Sequence, residues 1–261
     1  MLKRLSATNS YLKRRIKIKL KVSHFKQKYE GIPIIDDISF YLNENEFVTL
    51  IGPSGCGKST IFNMIGGIVN IDEGRVFIDG EDRTGEAGHV SYMYQKDLLL
   101  PWKKVIDNTA LPLFIKGERI REARKQVTPY LELFGLQGFE YKYPFQLSGG
   151  MRQRAALLRT YMFSRDILLL DEPFGGLDAI TRSKMQSWLL QVIEKIKASV
   201  LFITHDIEEA IYLSDRIYVL SARPAKIKEE VKITLPRPRE REIVTSNQFN
   251  LIKRHLLSNL S

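Results

Sequence analysis

The stretch Gly52-Pro53-Ser54-Gly55-Cys56-Gly57-Lys58-Ser59-Thr60 constrains this chain more than any other. It fits the pattern G-x-x-x-x-G-K-[ST] and follows the apolar run Phe47-Val48-Thr49-Leu50-Ile51. A short buried strand that runs into a glycine loop and then a helix is the start of a βαβ unit, so an α/β fold is expected. Gly52, Gly55 and Gly57 open backbone conformations closed to other residues, and successive N–H groups can turn inward around an anion. A helix predicted from Lys58 to about Ile65 aims its positive dipole end at the same place. Lys58 supplies a point charge for the β- and γ-phosphates, and the Ser59 hydroxyl is placed to ligate Mg²⁺. The stretch implies a nucleoside triphosphate site.

A chain of 261 residues can bury a full core, and its 44 % apolar and 27 % charged content are ordinary for a globular protein. The single cysteine, Cys56, excludes a disulfide framework and fits a reducing cytosol; inside the loop it reads as a small filler. No run approaches the roughly 18 apolar residues of a membrane span, and the N-terminus has charges without an apolar core, so neither a transmembrane helix nor a secretory signal is expected. The net charge of +10 invites a nucleic-acid reading. Ten of the 40 bases, however, lie in residues 1–29, which hold no acid, and the remainder balances 30 against 30. The body is electrically even, and the basic leader reads as a solvated arm plus an edge strand.

Along the chain, Ile16–Val22 alternates apolar and basic residues as a half-buried strand does. Ile34–Leu42 and Phe47–Ile51, split by Asn43-Glu44-Asn45-Glu46, are expected to continue a small antiparallel system, with Tyr29 in the connection. Strands are predicted at Arg75–Ile78 and Val90–Tyr94, the latter closing on Gln95. A mostly helical stretch is predicted from Val105 to about Leu133, interrupted by Gly117 and Pro129. Leu98-Leu99-Leu100-Pro101-Trp102 suggests a contact surface. Leu147-Ser148-Gly149-Gly150-Met151 precedes a helix predicted over Ala155–Phe163, and Ser148 with the two glycines makes a second potential anion site. Ile167–Leu170 reads as a fully buried strand ending in Asp171-Glu172, where Asp171 would hold Mg²⁺ through its water shell and Glu172 would polarise the attacking water. An amphipathic helix is predicted over Ala179–Lys197, followed by the strand Val200–Ile203. His205 then precedes a helix opened by Asp206 and Glu209 in capping-box spacing. A core strand Arg216–Leu220, an alternating strand Lys226–Leu235 and a terminal helix Asn247–Leu260 complete the chain.

Side by side, these pieces resemble the ATP-binding subunits of ABC transporters. The resemblance runs from about Ile16 to Leu220. It rests on the phosphate loop, Gln95, the signature 147–151, the acidic strand 167–173, Gly175-Gly176-Leu177-Asp178 and His205, in the family's order. It implies a P-loop NTPase of the ABC ATPase fold over 16–221, with a mixed core sheet, a small antiparallel β subdomain and an α-helical subdomain inserted at about 96–160. A basic arm (1–15) and a C-terminal strand-and-helix extension (222–261) flank it. It further implies a head-to-tail dimer in which each ATP lies between the phosphate loop of one subunit and the signature helix of the other. Tyr29 then matches the adenine-stacking aromatic, Lys58 the phosphate lysine and Thr60 an α-phosphate contact, within a cradle made by Gly52, Pro53, Ser54, Gly55, Cys56 and Gly57. Ser59 and Gln95 match Mg²⁺ ligands beside Asp171. Ser148, Gly149 and Gly150 match the groups that reach the partner's nucleotide, Glu172 the general base, His205 the switch histidine and Asp178 the link between the two sites.

Met151 replaces the usual signature Gln, and Gly176 stands where Ala or Ser is frequent; neither removes a catalytic group. Leu98–Trp102, Met151-Arg152-Gln153-Arg154 and Leu220-Ser221-Ala222-Arg223-Pro224 look like the nitrate/sulfonate/taurine importer branch. That branch implies two membrane-embedded permease subunits as partners, a second ATPase subunit, an external binding protein reached indirectly, and a place on the cytoplasmic face of the membrane. The alternative is a non-transport ABC ATPase acting on nucleic acid. Such proteins carry two cassettes or long coiled-coil insertions, and this chain shows neither.

Overall fold

The apolar alternation of the strands decides the layering. A computed structural model describes residues 17–164 and 166–260, so the predicted arm over 1–15 lies outside the described residues, as does Ile16. The chain runs β1 (Ile18–Tyr29), β2 (Ile32–Asn43), β3 (Phe47–Ile51), α1 (Lys58–Ile65), β4 (Glu73–Ile78), β5 (Glu81–Asp82), β6 (Ser91–Met93), α2 (Val105–Ile115), α3 (Ile120–Leu131) and α4 (Gly149–Ser164). It continues with β7 (Ile167–Asp171), α5 (Ala179–Ile196), β8 (Ser199–Thr204), α6 (Ile207–Leu213), β9 (Arg216–Leu220), β10 (Ile227–Lys232) and α7 (Asn247–Leu260).

Two sheets result: an antiparallel one in the order β2-β1-β4-β5, and a larger one in the order β10-β9-β3-β8-β7-β6. In the larger sheet every neighbour pair is parallel except β10 with β9, which makes the sheet mixed. The fold is α/β as expected. One placement is corrected: Phe47–Ile51 does not continue the antiparallel system. It pairs in parallel with β8 and β9 at the centre of the larger sheet. All five of its residues are buried, and only a strand covered on both faces can hold such a run.

Successive residues of the parallel strands feed two different cores. Phe47, Leu168, Leu170, Val200, Phe202, Ile217 and Val219 face the helices. Val48, Leu50, Ile167, Leu169, Leu201, Ile203 and Tyr218 face α1 and the antiparallel sheet. The larger sheet is the middle layer of three.

Other boundaries move for local reasons. β1 extends to Tyr29, which is its last residue instead of part of the connection. Gly117, at φ +95°, separates α2 from α3. Pro129 does not interrupt: it sits inside α3, in its last turn, and α2 likewise contains Pro112. α4 begins at Gly149, six residues ahead of the predicted start, because Ser148 caps it directly. β10 is shorter than the alternation suggested and joins the large sheet as its antiparallel edge.

Candidate functional site

β3, β8, β7 and β6 run side by side in parallel, with Ile51 opposite Thr204, Asp171 opposite Ile203 and Met93 opposite Leu170. Residues that follow those ends therefore emerge at one edge of the sheet: the phosphate loop, His205, Glu172 and Gln95. Ligands of open α/β sheets bind at such an edge.

The phosphate loop is braced from behind by its own chain. A Cβ on Gly52 would lie 2.9 Å from Leu220 Cβ, and one on Gly57, at φ +122°, 3.3 Å from Ile34. Gly55, at φ +74°, has open space around it. Lys58 is buried and its Nζ donates to the carbonyls of Gly52 (2.8 Å) and Pro53 (2.9 Å). Ser54, Gly55 and Ser59 are exposed, Pro53 and Thr60 partly so, and Cys56 is buried as a filler. The first turn of α1 leaves backbone N–H groups without helical partners, as an anion seat requires.

Asp171 closes the other side of this seat. Burial pushes its carboxyl up, while hydrogen bonds from Ser59 and from the Tyr92 hydroxyl (3.2 Å) hold it down. Next along, Glu172 takes φ +42°, an uncommon conformation for a non-glycine residue, and its Oε1 lies 3.0 Å from His205 Nδ1. The Glu172 side chain is mostly covered and that of His205 mostly open to solvent. Gln95 is exposed; its Nε2 would lie 3.2 Å from a Cβ on Gly175.

α4 presents the second helix mouth. Ser148 Oγ accepts from Met151 N at 3.3 Å and is exposed. Gly149 is half-buried beside Leu177, and Gly150 is buried against Thr181 and Met185 of α5. Gly150 therefore lets α4 approach α5 closely, a packing duty the sequence did not reveal. Met151 packs on the core. Asp178 is exposed and caps α5 by accepting from Ile180 N and Thr181 N. Tyr29 is exposed at the tip of the antiparallel sheet.

The segment after Gln95 is pinned at several points. Arg159 donates to the carbonyls of Leu98 (2.7 Å) and Asp97 (2.6 Å), and Arg152 pairs with Asp97 at 3.3 Å. Buried Asn108 accepts from Leu100 N at 2.7 Å and donates to the carbonyls of Leu100 and Lys103. Leu99 is buried in the core, but Leu98 is 52 % exposed and Trp102 70 %, as is Ile115 at the end of α2 at 73 %. A groove that includes Leu98 and Ile115 is also lined by Ile68, Tyr94, Leu111 and Phe163.

Three participants were not foreseen. Tyr92 bonds Asp171, and strand parity beside β7 was a usable signal. Arg223 Nε donates to the Gly55 carbonyl at 2.9 Å, a contact 168 residues apart in sequence that no local pattern announces. Glu209 does not complete a capping box on Asp206. Asp206 caps α6, but the Glu209 carboxylate instead accepts from Thr204 and Gln186.

Among the described residues no cluster of three His, Cys, Asp or Glu side chains makes a closed metal site. The oxygen groups at the seat are the Ser59 hydroxyl and the Asp171 carboxylate it bonds, and the Gln95 amide follows β6 at the same edge of the sheet. This hard, oxygen-only set suits Mg²⁺ that keeps water and phosphate oxygens in its shell.

A family model described as ABC transporter matches residues 35–175. The aliphatic sulfonates import ATP-binding protein of Bacillus cereus is 42 % identical over 234 residues, covering 90 % of this chain and 91 % of the relative. The taurine import ATP-binding protein of Rhizobium johnstonii is 43 % identical over 213 residues, covering 80 % and 81 %. Among solved structures, a dimeric ATP-binding cassette in a post-hydrolysis state bound to ADP and Pi superposes with a TM-score of 0.70 at 29 % identity. The match covers 83 % of this chain and all of the other.

Proposed function

This chain belongs to the ABC transporter ATP-binding family, and on that premise we propose that it powers import of a small sulfonate-type anion through two permease subunits. It is an ATPase that uses ATP with Mg²⁺. The carrying observation is a division of labour: phosphate loop, Asp171, Glu172, His205 and Gln95 share one sheet edge, while Ser148 stands exposed at the mouth of α4.

In this reading, Lys58 and the N–H groups of the loop hold the β- and γ-phosphates, with Thr60 on the α-phosphate and Tyr29 stacked on the adenine. Ser59, Gln95 and Asp171 hold Mg²⁺, which supplies charge neutralisation on the phosphates. Glu172 accepts the proton of the attacking water, and His205, in contact with Glu172, faces the γ-phosphate. Ser148, Gly149 and Gly150 serve the nucleotide of a second copy, and Asp178 lies between the two sites. Two copies then close over two triphosphates and reopen on hydrolysis. The dimeric cassette bound to ADP and Pi supports that pairing. The groove lined by Ile68, Leu98, Ile115 and Phe163 and the exposed Trp102 support a docking surface for the permease, with the chain on the inner face of the membrane. Among the described residues no helix is long and apolar enough to span it. The import names of the relatives support a sulfonate as the solute.

Coexpression with the permease and binding protein of a sulfonate importer, followed by reconstitution in liposomes, tests the reading. ATP hydrolysis should rise when a binding protein loaded with taurine or an alkanesulfonate is added. Stimulation by an uncharged solute and by no sulfonate would overturn the anion assignment, and stimulation by DNA or RNA alone would overturn transport itself.

A further inference from the structure

A chain of four hydrogen bonds leads from the C-terminal extension to the turn that carries His205. Arg241 Nη1 donates to Gln186 Oε1 at 2.8 Å, and Gln186 Nε2 donates to Glu209 Oε1 at 2.9 Å. The Thr204 hydroxyl donates to Glu209 Oε2 at 2.7 Å, and Thr204 Oγ1 accepts from Asp206 N at 3.0 Å. His205 is the residue between Thr204 and Asp206, so this last bond closes the turn from which its ring projects.

Chemistry fixes every direction in the chain. A guanidinium and a backbone N–H only donate, so Gln186 must turn its oxygen to Arg241 and its NH₂ to Glu209. The Glu209 carboxylate is then the one group that accepts from both sides, and it is 6 % exposed. Arg241 is held over the Tyr212 ring, with its Cζ 5.1 Å from the centroid, while the Tyr212 hydroxyl donates to the Arg239 carbonyl at 3.0 Å. The segment that carries Arg241 is thereby anchored on α6.

We infer that Arg241 and Glu209 are positioning residues for His205, through Gln186 and Thr204, so that the C-terminal extension sets the geometry of the hydrolytic edge. The inference rests on the reading of His205 as a hydrolytic group. An amide at position 209 has one donor end. Facing Gln186 Nε2 it breaks that bond; facing Thr204 it donates to the hydroxyl oxygen, which reverses that bond and leaves the hydroxyl proton without its carboxylate, so either orientation replaces charge-assisted bonds of the chain by weaker neutral ones.

The test compares Arg241→Ala, Arg241→Lys, Glu209→Gln and the double variant R241A/E209Q in the full-length protein, by ATPase kinetics and by NMR of the His205 ring assigned with H205A. Arg241 is only half-buried, so its variants are expected to fold. Loss of one hydrogen bond in the chain should lower kcat about three- to tenfold with KM for ATP within about twofold. Arg241→Lys should recover part of the loss, and the double variant should be little worse than E209Q alone, because both cut one path. The His205 signals should move in R241A. Unchanged kcat with unmoved His205 signals, losses confined to KM or thermal stability, or losses that multiply in the double variant would overturn the inference. Movement of the His205 signals with unchanged hydrolysis would uphold the connection and instead remove His205 from the hydrolytic step.

Discussion

The two glycine-rich helix mouths look alike in sequence and differ in how much of the subunit supports them. At the first, Leu220 stands against Gly52, Ile34 against Gly57, Arg223 donates to the Gly55 carbonyl and Lys58 folds onto two carbonyls of its own loop. At the second, Ser148 is exposed and its cap bond is long. Its support comes from behind, where Gly150 packs on α5 and Arg152 donates to the carbonyl of buried Leu147 at 3.0 Å. A mouth finished by its own subunit can bind alone. One left open at the rim fits completion by a second molecule.

That contrast can be broken at several points. The largest effect is expected for Glu172→Gln, which keeps the shape of both mouths but removes the proposed proton acceptor: kcat should fall about 10³-fold. With ATP bound and not consumed the pair should stay closed, so light scattering that shows a monomer at saturating ATP would sink the shared-nucleotide scheme. Next comes Ser148→Glu. A carboxylate at the open mouth should cut hydrolysis about 10²-fold, yet leave one subunit's own affinity for a labelled ATP analogue unchanged. An equal loss of monomer affinity would mean that the second mouth serves its own subunit. Gly52→Ala sharpens the bracing argument. The new Cβ meets Leu220 at 2.9 Å, with backbone beside it, so a loss of about 1–3 kcal/mol in thermal or urea unfolding is expected. The smallest effect belongs to Gly149→Ala, whose Cβ meets the ends of two flexible side chains, Leu177 at 3.3 Å and Arg152 at 3.9 Å. Its stability should stay within about 1 kcal/mol of the parent, and a larger loss would mean the second mouth is as tightly built as the first.

Much of the site was legible because each residue is tied to a local pattern. Lys58 follows its glycines, Glu172 ends an apolar strand and Ser148 caps a helix. What stayed hidden are contacts between distant segments. Phe47–Ile51 has the same apolar look in either sheet, and only its neighbours β8 and β9 decide which one it joins. Glu209 stands at capping-box spacing from Asp206, but a buried carboxylate takes the strongest donors within reach, and Gln186 and Thr204 won over the local backbone. Gly150 was read as an anion-site residue, and its burial against Thr181 and Met185 shows that it also sets the spacing of two helices.

Asn108 and Arg159 together nail down the segment between Gln95 and Val105 while Trp102 projects from it. So fastened, that stretch is a stiff lever instead of a soft tether. A displacement of the indole is therefore shared with the backbone beside Gln95 and, through Arg159, with α4, where a free loop would absorb it locally.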